Sequence, residues 1–173
     1  SAVTSGDCAG AVLREAEGAL CVGISMVTGP MITQGVEVAR ALRRQQPRLP
    51  LVAGGWHPSI LPEQTLRSPY FDAVVKGQGE ATLLEMVERY EKGERDLTGI
   101  QGCWFKTPQG AIVWNAERGY TDLNALARRP FQLVDFEAYA RKCQGTRWIL
   151  YCTSHGCPWD CSYCSNASVY GRN

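Results

Sequence analysis

Ala19-Leu20-Cys21-Val22-Gly23-Ile24-Ser25 is an apolar run of buried-strand length. It runs into Met26-Val27-Thr28-Gly29-Pro30, a loop-like segment, and then into residues 33–44. There Val36, Ala39 and Leu42 recur at helical spacing until Pro47 ends the pattern. The same order repeats downstream. Leu51-Val52-Ala53 is a second short strand broken by Gly54-Gly55, residues 62–66 read as a short helix, and residues 71–75 as a third strand. Gly77-Gln78-Gly79 turns into a helix over residues 80–90, with Leu83, Leu84 and Val87 on one face. Upstream, residues 11–17 read as one helix feeding the first strand.

Strands alternating with helices imply an α/β fold, a parallel Rossmann-like (flavodoxin-like) sheet with helices on both faces. Ligands of such sheets sit beyond the carboxyl ends of the strands. Three loops fall there, residues 25–30, 54–58 and 77–80, each with a glycine or a small hydroxyl. Glycine lets backbone approach a ligand closely. One such glycine is an ordinary turn requirement; three converging loops outline a site for something large and polar-rimmed.

The far end carries Cys152-Thr153-Ser154-His155-Gly156-Cys157-Pro158-Trp159-Asp160-Cys161-Ser162-Tyr163-Cys164. Cys157, Cys161 and Cys164 form a C-x3-C-x2-C triplet within eight positions. Three thiolates this close can hold three irons of a [4Fe–4S] cluster and leave the fourth open. Ferredoxin-type carriers close that position with a fourth cysteine. An open iron can bind and cleave a substrate. Gly156 and Pro158 bracket the first ligand and break regular structure, so the backbone can curl around a cluster. Residues 147–151 read as a short strand running into this loop. A closed zinc site with Cys152 or His155 as fourth ligand is the competing arrangement. Cys8, Cys21, Cys103 and Cys143 have no ligand spacing and read as small buried apolar residues.

Thr-Ser-x-Gly-Cys-Pro-x-x-Cys-x-Tyr-Cys after a strand closely resembles the cluster loop of radical S-adenosylmethionine (SAM) enzymes. The resemblance implies that Cys157, Cys161 and Cys164 bind the cluster metal, that SAM chelates the open iron, and that Tyr163 lies beside the adenine. His155 stands where many relatives carry arginine. Val22-Gly23-Ile24-Ser25-x-x-Thr28-Gly29, Gly54-Gly55-Trp56-His57-Pro58 and Lys76-Gly77-Gln78-Gly79-Glu80 resemble the cobalamin (B12)-binding domain that precedes the barrel in one large radical SAM subfamily. On that likeness Ser25 and Thr28 approach the nucleotide tail or corrin edge, and Gly54, Gly55, Gly77 and Gly79 line the tail pocket. Glu80 contacts the ligand or complements its helix dipole. His57 lies in the wrong loop for the usual lower cobalt ligand, which comes from an Asp-x-His-x-x-Gly motif that this chain lacks; it is expected to line or brace the pocket.

The implied domains are residues 1–93 (a partial cobalamin-binding domain), 94–145 (hairpin and linker) and 146–173 (the start of a radical SAM barrel). The hairpin is Gly102-Cys103-Trp104-Phe105-Lys106, a four-residue turn, and Ala111-Ile112-Val113-Trp114. The family's first strand and most of its barrel are missing from these residues, so the sequence reads as a piece that would be inert alone, with open sheet edges. The implied activity of the intact protein is reductive SAM cleavage to a 5′-deoxyadenosyl radical, followed by methyl transfer to an unactivated carbon or phosphorus. Oxidative cyclisation of the anaerobic magnesium-protoporphyrin ester type, or a non-enzymatic cobalamin- or metal-binding module, are the alternatives. The implied partners are a small-molecule substrate and an electron donor such as flavodoxin or ferredoxin.

Composition agrees with a globular protein: 173 residues, 45% hydrophobic, with a formal net charge of +1. That charge gives no reason to propose nucleic acid or an acidic membrane surface as partner. No apolar run approaches the roughly 20 residues needed to span a bilayer. An oxygen-sensitive cluster and the lack of a signal-peptide pattern make a reducing cytoplasm the expected home.

Overall fold

Successive strand residues face opposite sides of a sheet, so a strand buried on both sides is apolar throughout. The computed structural model describes residues 8–126, 131–133, 135–137, 156–159 and 161–171. In chain order these form α1 (Cys8–Glu15), β1 (Val22–Ser25), α2 (Pro30–Gln45), β2 (Leu51–Gly54), α3 (Trp56–Ile60), α4 (Pro62–Arg67) and β3 (Ala73–Val75). There follow α5 (Glu80–Glu91), β4 (Cys103–Lys106), β5 (Ile112–Trp114), short 3-10 turns at Leu123–Ala125 and Phe131–Leu133, and α6 (Asn166–Tyr170). The strand expected at residues 147–151, together with Cys143, Cys152 and His155, lies outside the described residues.

The five strands form one sheet in the order β1-β2-β3-β4-β5. β1, β2 and β3 pair in parallel, with Val22 opposite Leu51 and Val52 opposite Ala73. The parallel Rossmann-like core is therefore as expected. The hairpin set apart as a connector is instead hydrogen-bonded into the sheet: β4 runs antiparallel to β3, with Val74 opposite Trp104, and β5 antiparallel to β4. Without it β3 would present an open edge. Trp104 and Trp114 face each other across the hairpin with ring centroids 5.7 Å apart.

Burial follows the two-residue period. Leu51, Ala53 and Val74 pack with Val38, Ala39, Leu42, Leu66 and Phe71 on one side of the sheet. Val52, Ala73 and Val75 pack with Met86, Tyr90, Leu97, Ile100 and Phe105 on the other. Cys103 is fully buried in the second cluster, and desolvation pushes its thiol up to about 12, which keeps it neutral. Cys8, by contrast, is exposed and Cys21 half-buried.

Three local expectations change. Helix α2 starts at Pro30, earlier than the periodic pattern, because proline in the first turn forgoes only an N–H that has no helical partner. Residues 56–58, expected as part of the 54–58 loop, instead open helix α3. On α5 the buried positions are Thr82, Met86 and Tyr90, while Leu83 and Leu84 are exposed. Thr82 enters the interior because its hydroxyl is satisfied there, donating to the Gln101 carbonyl at 2.8 Å and accepting from Arg118 Nε at 2.9 Å.

Arg43 ties off the amino-terminal end of the sheet. Its guanidinium donates to the carbonyls of Pro47 (2.8 Å), Leu49 (3.2 Å) and Tyr70 (2.7 Å) and to the Asp72 carboxylate (2.7 Å). The same carboxylate accepts from the Leu51 N–H at 2.8 Å, joining α2, β2 and the entry to β3. Arg43→Met keeps the stem but leaves part-buried acceptors unpaired. It is expected to cost about 2–3 kcal/mol, read as a fall in the midpoint of urea unfolding. No helix among the described residues is long and apolar enough to cross a membrane.

Candidate functional site

The parallel strands end side by side, and a cleft of about 390 Å³ opens at their carboxyl ends. Strand β1 supplies Gly23, Ile24 and Ser25, β2 and its turn supply Val52 to Gly55, and Val75, Gly77, Gly79, Glu80 and Leu83 close the far side. Gly23 is paired with Val52 and Ser25 with Gly54, so all four belong to the sheet face that α5 covers further along. Gly23 and Ser25 are exposed there. Glu80, the first residue of α5, is the charged group at the rim.

The glycines of this cleft have different causes. Gly55 has φ 87°, and a Cβ there would lie 2.7 Å from Ser25 Oγ and 2.9 Å from the Met26 carbonyl oxygen. A Cβ on Gly79 would lie 2.8 Å from Val75 Cγ1. Gly77, at φ 73°, has the Val169 carbonyl oxygen 3.2 Å from its Cβ position. Folding alone requires these three. Gly54 is different: the nearest atom to its Cβ position is the Val75 carbonyl oxygen at 3.9 Å. Around Gly23 nothing lies within 4 Å. Both sit in strands, where glycine costs stability, and both bare the cleft floor. Neither is required by the packing around it.

Of the residues singled out in the sequence, Ser25, Gly54, Gly55, Gly77, Gly79 and Glu80 share the cleft. Thr28 is exposed on the loop before α2 and lies outside the cleft lining. His57 also lies outside it. Helix α3 turns its side chain into a separate pocket of about 260 Å³ with Met26, Ile32, Val36 and Phe71. Its backbone N–H donates to the Met26 carbonyl at 3.1 Å, a bracing bond between loops. Gly23, Val52, Val75 and Leu83 were missed as lining residues. Glycine inside the Val22-Gly23-Ile24-Ser25 strand was the available signal.

In the cysteine loop, Gly156 has φ 90°, a left-handed turn immediately before Cys157 that glycine alone makes readily. Cys157 is half-buried, and Cys161 and Cys164 are exposed; all three are free thiols. The Cys164 N–H donates to the Cys161 carbonyl at 3.0 Å, a tight turn that carries both sulfurs. The Asn166 N–H donates to Cys164 Sγ at 3.5 Å, the type of contact that tunes a cluster thiolate. Among the described residues no three Cys, His, Asp or Glu side chains gather around a single ion position. Tyr163 projects into solvent, 89% exposed.

Helix α6, just after the triplet, returns to the cleft rim. Val169 is buried against Gly77, and Tyr170 meets Trp56 edge-on with ring centroids 5.4 Å apart.

Residues 11–87 match the B12 binding domain family. An uncharacterized methyltransferase of Pyrococcus horikoshii is 31% identical over 159 residues, covering 87% of this chain and 32% of that protein. The anaerobic magnesium-protoporphyrin IX monomethyl ester cyclase of Rubrivivax gelatinosus is 28% identical over 148 residues, covering 83% of this chain and 26% of that enzyme. The chain thus spans about a third or less of the length of these relatives. Among solved structures, the radical SAM methyltransferase TsrM of Kitasatospora setae, with cobalamin and a [4Fe–4S] cluster bound, superposes with a TM-score of 0.70. That match has 22% identity and covers 96% of this chain and 35% of TsrM, a likeness of fold. Residues 11–87 are accordingly a B12-binding domain.

Proposed function

We propose that the protein binds cobalamin in the cleft at the ends of β1, β2 and β3, holds a [4Fe–4S] cluster on Cys157, Cys161 and Cys164, and serves SAM-dependent radical methyl transfer. The observation that carries this reading is the cleft floor. Gly23 and Gly54 lack side chains that the fold would tolerate, within residues that match a B12-binding domain. A cleft of about 390 Å³ takes only part of so large a cofactor, such as its nucleotide tail, and leaves the corrin outside. Bound there, cobalamin would supply a transferable methyl group, while the cluster would supply the electron that cleaves SAM.

The chain's own residues bind and orient. Ser25 offers a hydroxyl and Gly54 bare backbone to the ligand, while Val52, Val75 and Leu83 give it an apolar wall. The turn from Cys161 to Cys164 carries two of the three cluster ligands, and the Asn166 N–H would donate to the Cys164 sulfur of a bound cluster. The substrate is a small molecule reached from outside these residues, and the reducing electron comes from a protein such as flavodoxin or ferredoxin. Identity to the cyclase of Rubrivivax gelatinosus favours oxidative ring formation as the second reading.

The test is anaerobic iron–sulfur reconstitution of the protein, followed by EPR of the reduced form with and without SAM, alongside a visible-absorbance titration with hydroxocobalamin. A [4Fe–4S]⁺ signal reshaped by SAM, and saturable binding of one cobalamin, are the expected results. Stoichiometric zinc without a cluster would sink the enzyme reading. Because these residues span a third or less of their relatives, a SAM-indifferent cluster here would be followed by the same measurement on a full-length chain, where continued indifference with saturable cobalamin would reduce the protein to a binding module.

A further inference from the structure

The Gly77-Gln78-Gly79 turn has two sides. Its glycines line the cleft, while the Gln78 side chain points the other way and grips the segment after β5. Gln78 Oε1 accepts from the Thr121 N–H at 2.7 Å, and Nε2 donates to the Thr121 carbonyl at 3.4 Å. A side-chain amide thereby stands in for a neighbouring strand. The same segment is pinned again just before this point. Lys76 pairs with Glu117, Arg118 pairs with Glu85 at 2.7 Å, and the Gly102 N–H donates to the Ala116 carbonyl at 2.8 Å.

Next to Thr121, the ring of Tyr120 lies against Gly171, where a Cβ would overlap it, at 2.7 Å from Cζ. Gly171 also has φ 74°, so glycine is doubly required there. Gly171 ends α6, the helix that begins two residues after Cys164. A continuous path of contact thus runs from the cleft turn through Gln78, Thr121, Tyr120 and Gly171 to the cysteine loop. Val169 on Gly77 and Tyr170 on Trp56 close the path back onto the rim.

We propose that Gln78 is a positioning residue that fixes the three-cysteine segment at the mouth of the cleft by holding Tyr120 and Thr121 under α6. Its functional meaning, the fixed separation of two cofactors, rests on the proposed function; the positioning itself does not. Without Gln78, Tyr120 loses its anchor and α6, a single turn and a half, has little of its own to hold it.

Hydrogen–deuterium exchange of the protein without added cofactors tests this. In Gln78→Ala, amides of residues 161–171 are expected to exchange faster by roughly fivefold or more, while those of β2 and β3 stay at wild-type rates. Gln78→Glu keeps the acceptor for the Thr121 N–H and is expected to retain most of the protection. Tyr120→Ala, which removes the ring under Gly171, is expected to loosen the same residues. Unchanged exchange over 161–171 in Gln78→Ala overturns the proposal, as does equal loosening of β2 and β3, which would mark a general loss of stability. Failure of hydroxocobalamin to bind the wild-type protein would defeat the cofactor reading and leave the exchange result to decide the role of Gln78.

Discussion

Gly54→Leu is expected to weaken cobalamin binding by roughly 100-fold or more, a loss of about 2.7 kcal/mol, while leaving the thermal midpoint unchanged or slightly raised. The side chain would project from the end of β2 on the cleft side, the same face as Val52, and fill space that the ligand needs. The protein itself has room for it, since the nearest atom to the Cβ position is 3.9 Å away. A visible-absorbance titration with hydroxocobalamin, paired with a thermal melt, separates the two effects. Gly79→Leu is the contrast. Val75 Cγ1 stands 2.8 Å from its Cβ position, so binding and stability should fall together. Unimpaired binding in Gly54→Leu would place cobalamin elsewhere.

Cys161→Ala is expected to reduce cluster incorporation to background, measured as iron and acid-labile sulfide per chain after anaerobic reconstitution. The substitution removes one of the three ligands and leaves the turn itself in place, because the Cys164 N–H bonds the backbone carbonyl of residue 161, which alanine retains. Two remaining thiolates cannot retain a cluster that three hold with one iron open. Cys152→Ser should leave incorporation and the EPR signal intact if the fourth iron is open. Loss of the cluster in that variant would instead mean a closed four-thiolate site and would remove the case for SAM chemistry. Cys103→Ala serves as a control for any thiol, because Cys103 is buried among apolar neighbours on β4 and away from the cysteine loop.

The parallel core was legible because Leu51-Val52-Ala53 and Ala73-Val74-Val75 are apolar without interruption, as strands covered on both faces must be. The cleft was legible in outline for the same reason, since strand ends in such sheets have a known use. What separates Gly54 from Gly55 or Gly79 was not. That difference lies in what a methyl group would meet, and those atoms belong to Ser25, Met26 and Val75, set there by the fold. The inward face of α5 was misread because Leu83 and Leu84 outrank Thr82 in hydrophobicity. The deciding bonds come from Gln101 and Arg118, far along the chain. His57 was drawn towards the ligand by its neighbours Gly54 and Gly55, but one turn of helix at residues 56–60 rotates it onto the opposite side. The hairpin's place in the sheet depends on pairing with β3 across nearly thirty residues, which local pattern does not encode.

The β3–α5 turn bears on interchangeability. A ligand-binding unit joined to its neighbour by a bare tether can be exchanged between enzymes at will, cut anywhere in the tether. Here the ligand-side turn also holds the following segment, through Gln78 and Thr121 and through Gly77 and Val169. A chimaera cut between β5 and residue 121 would inherit a cleft from one parent and its counterpart contacts from another. Grafts that carry residues 76–79 and 115–121 together should therefore succeed where cuts between them fail, and the two stretches should be treated as one inherited unit.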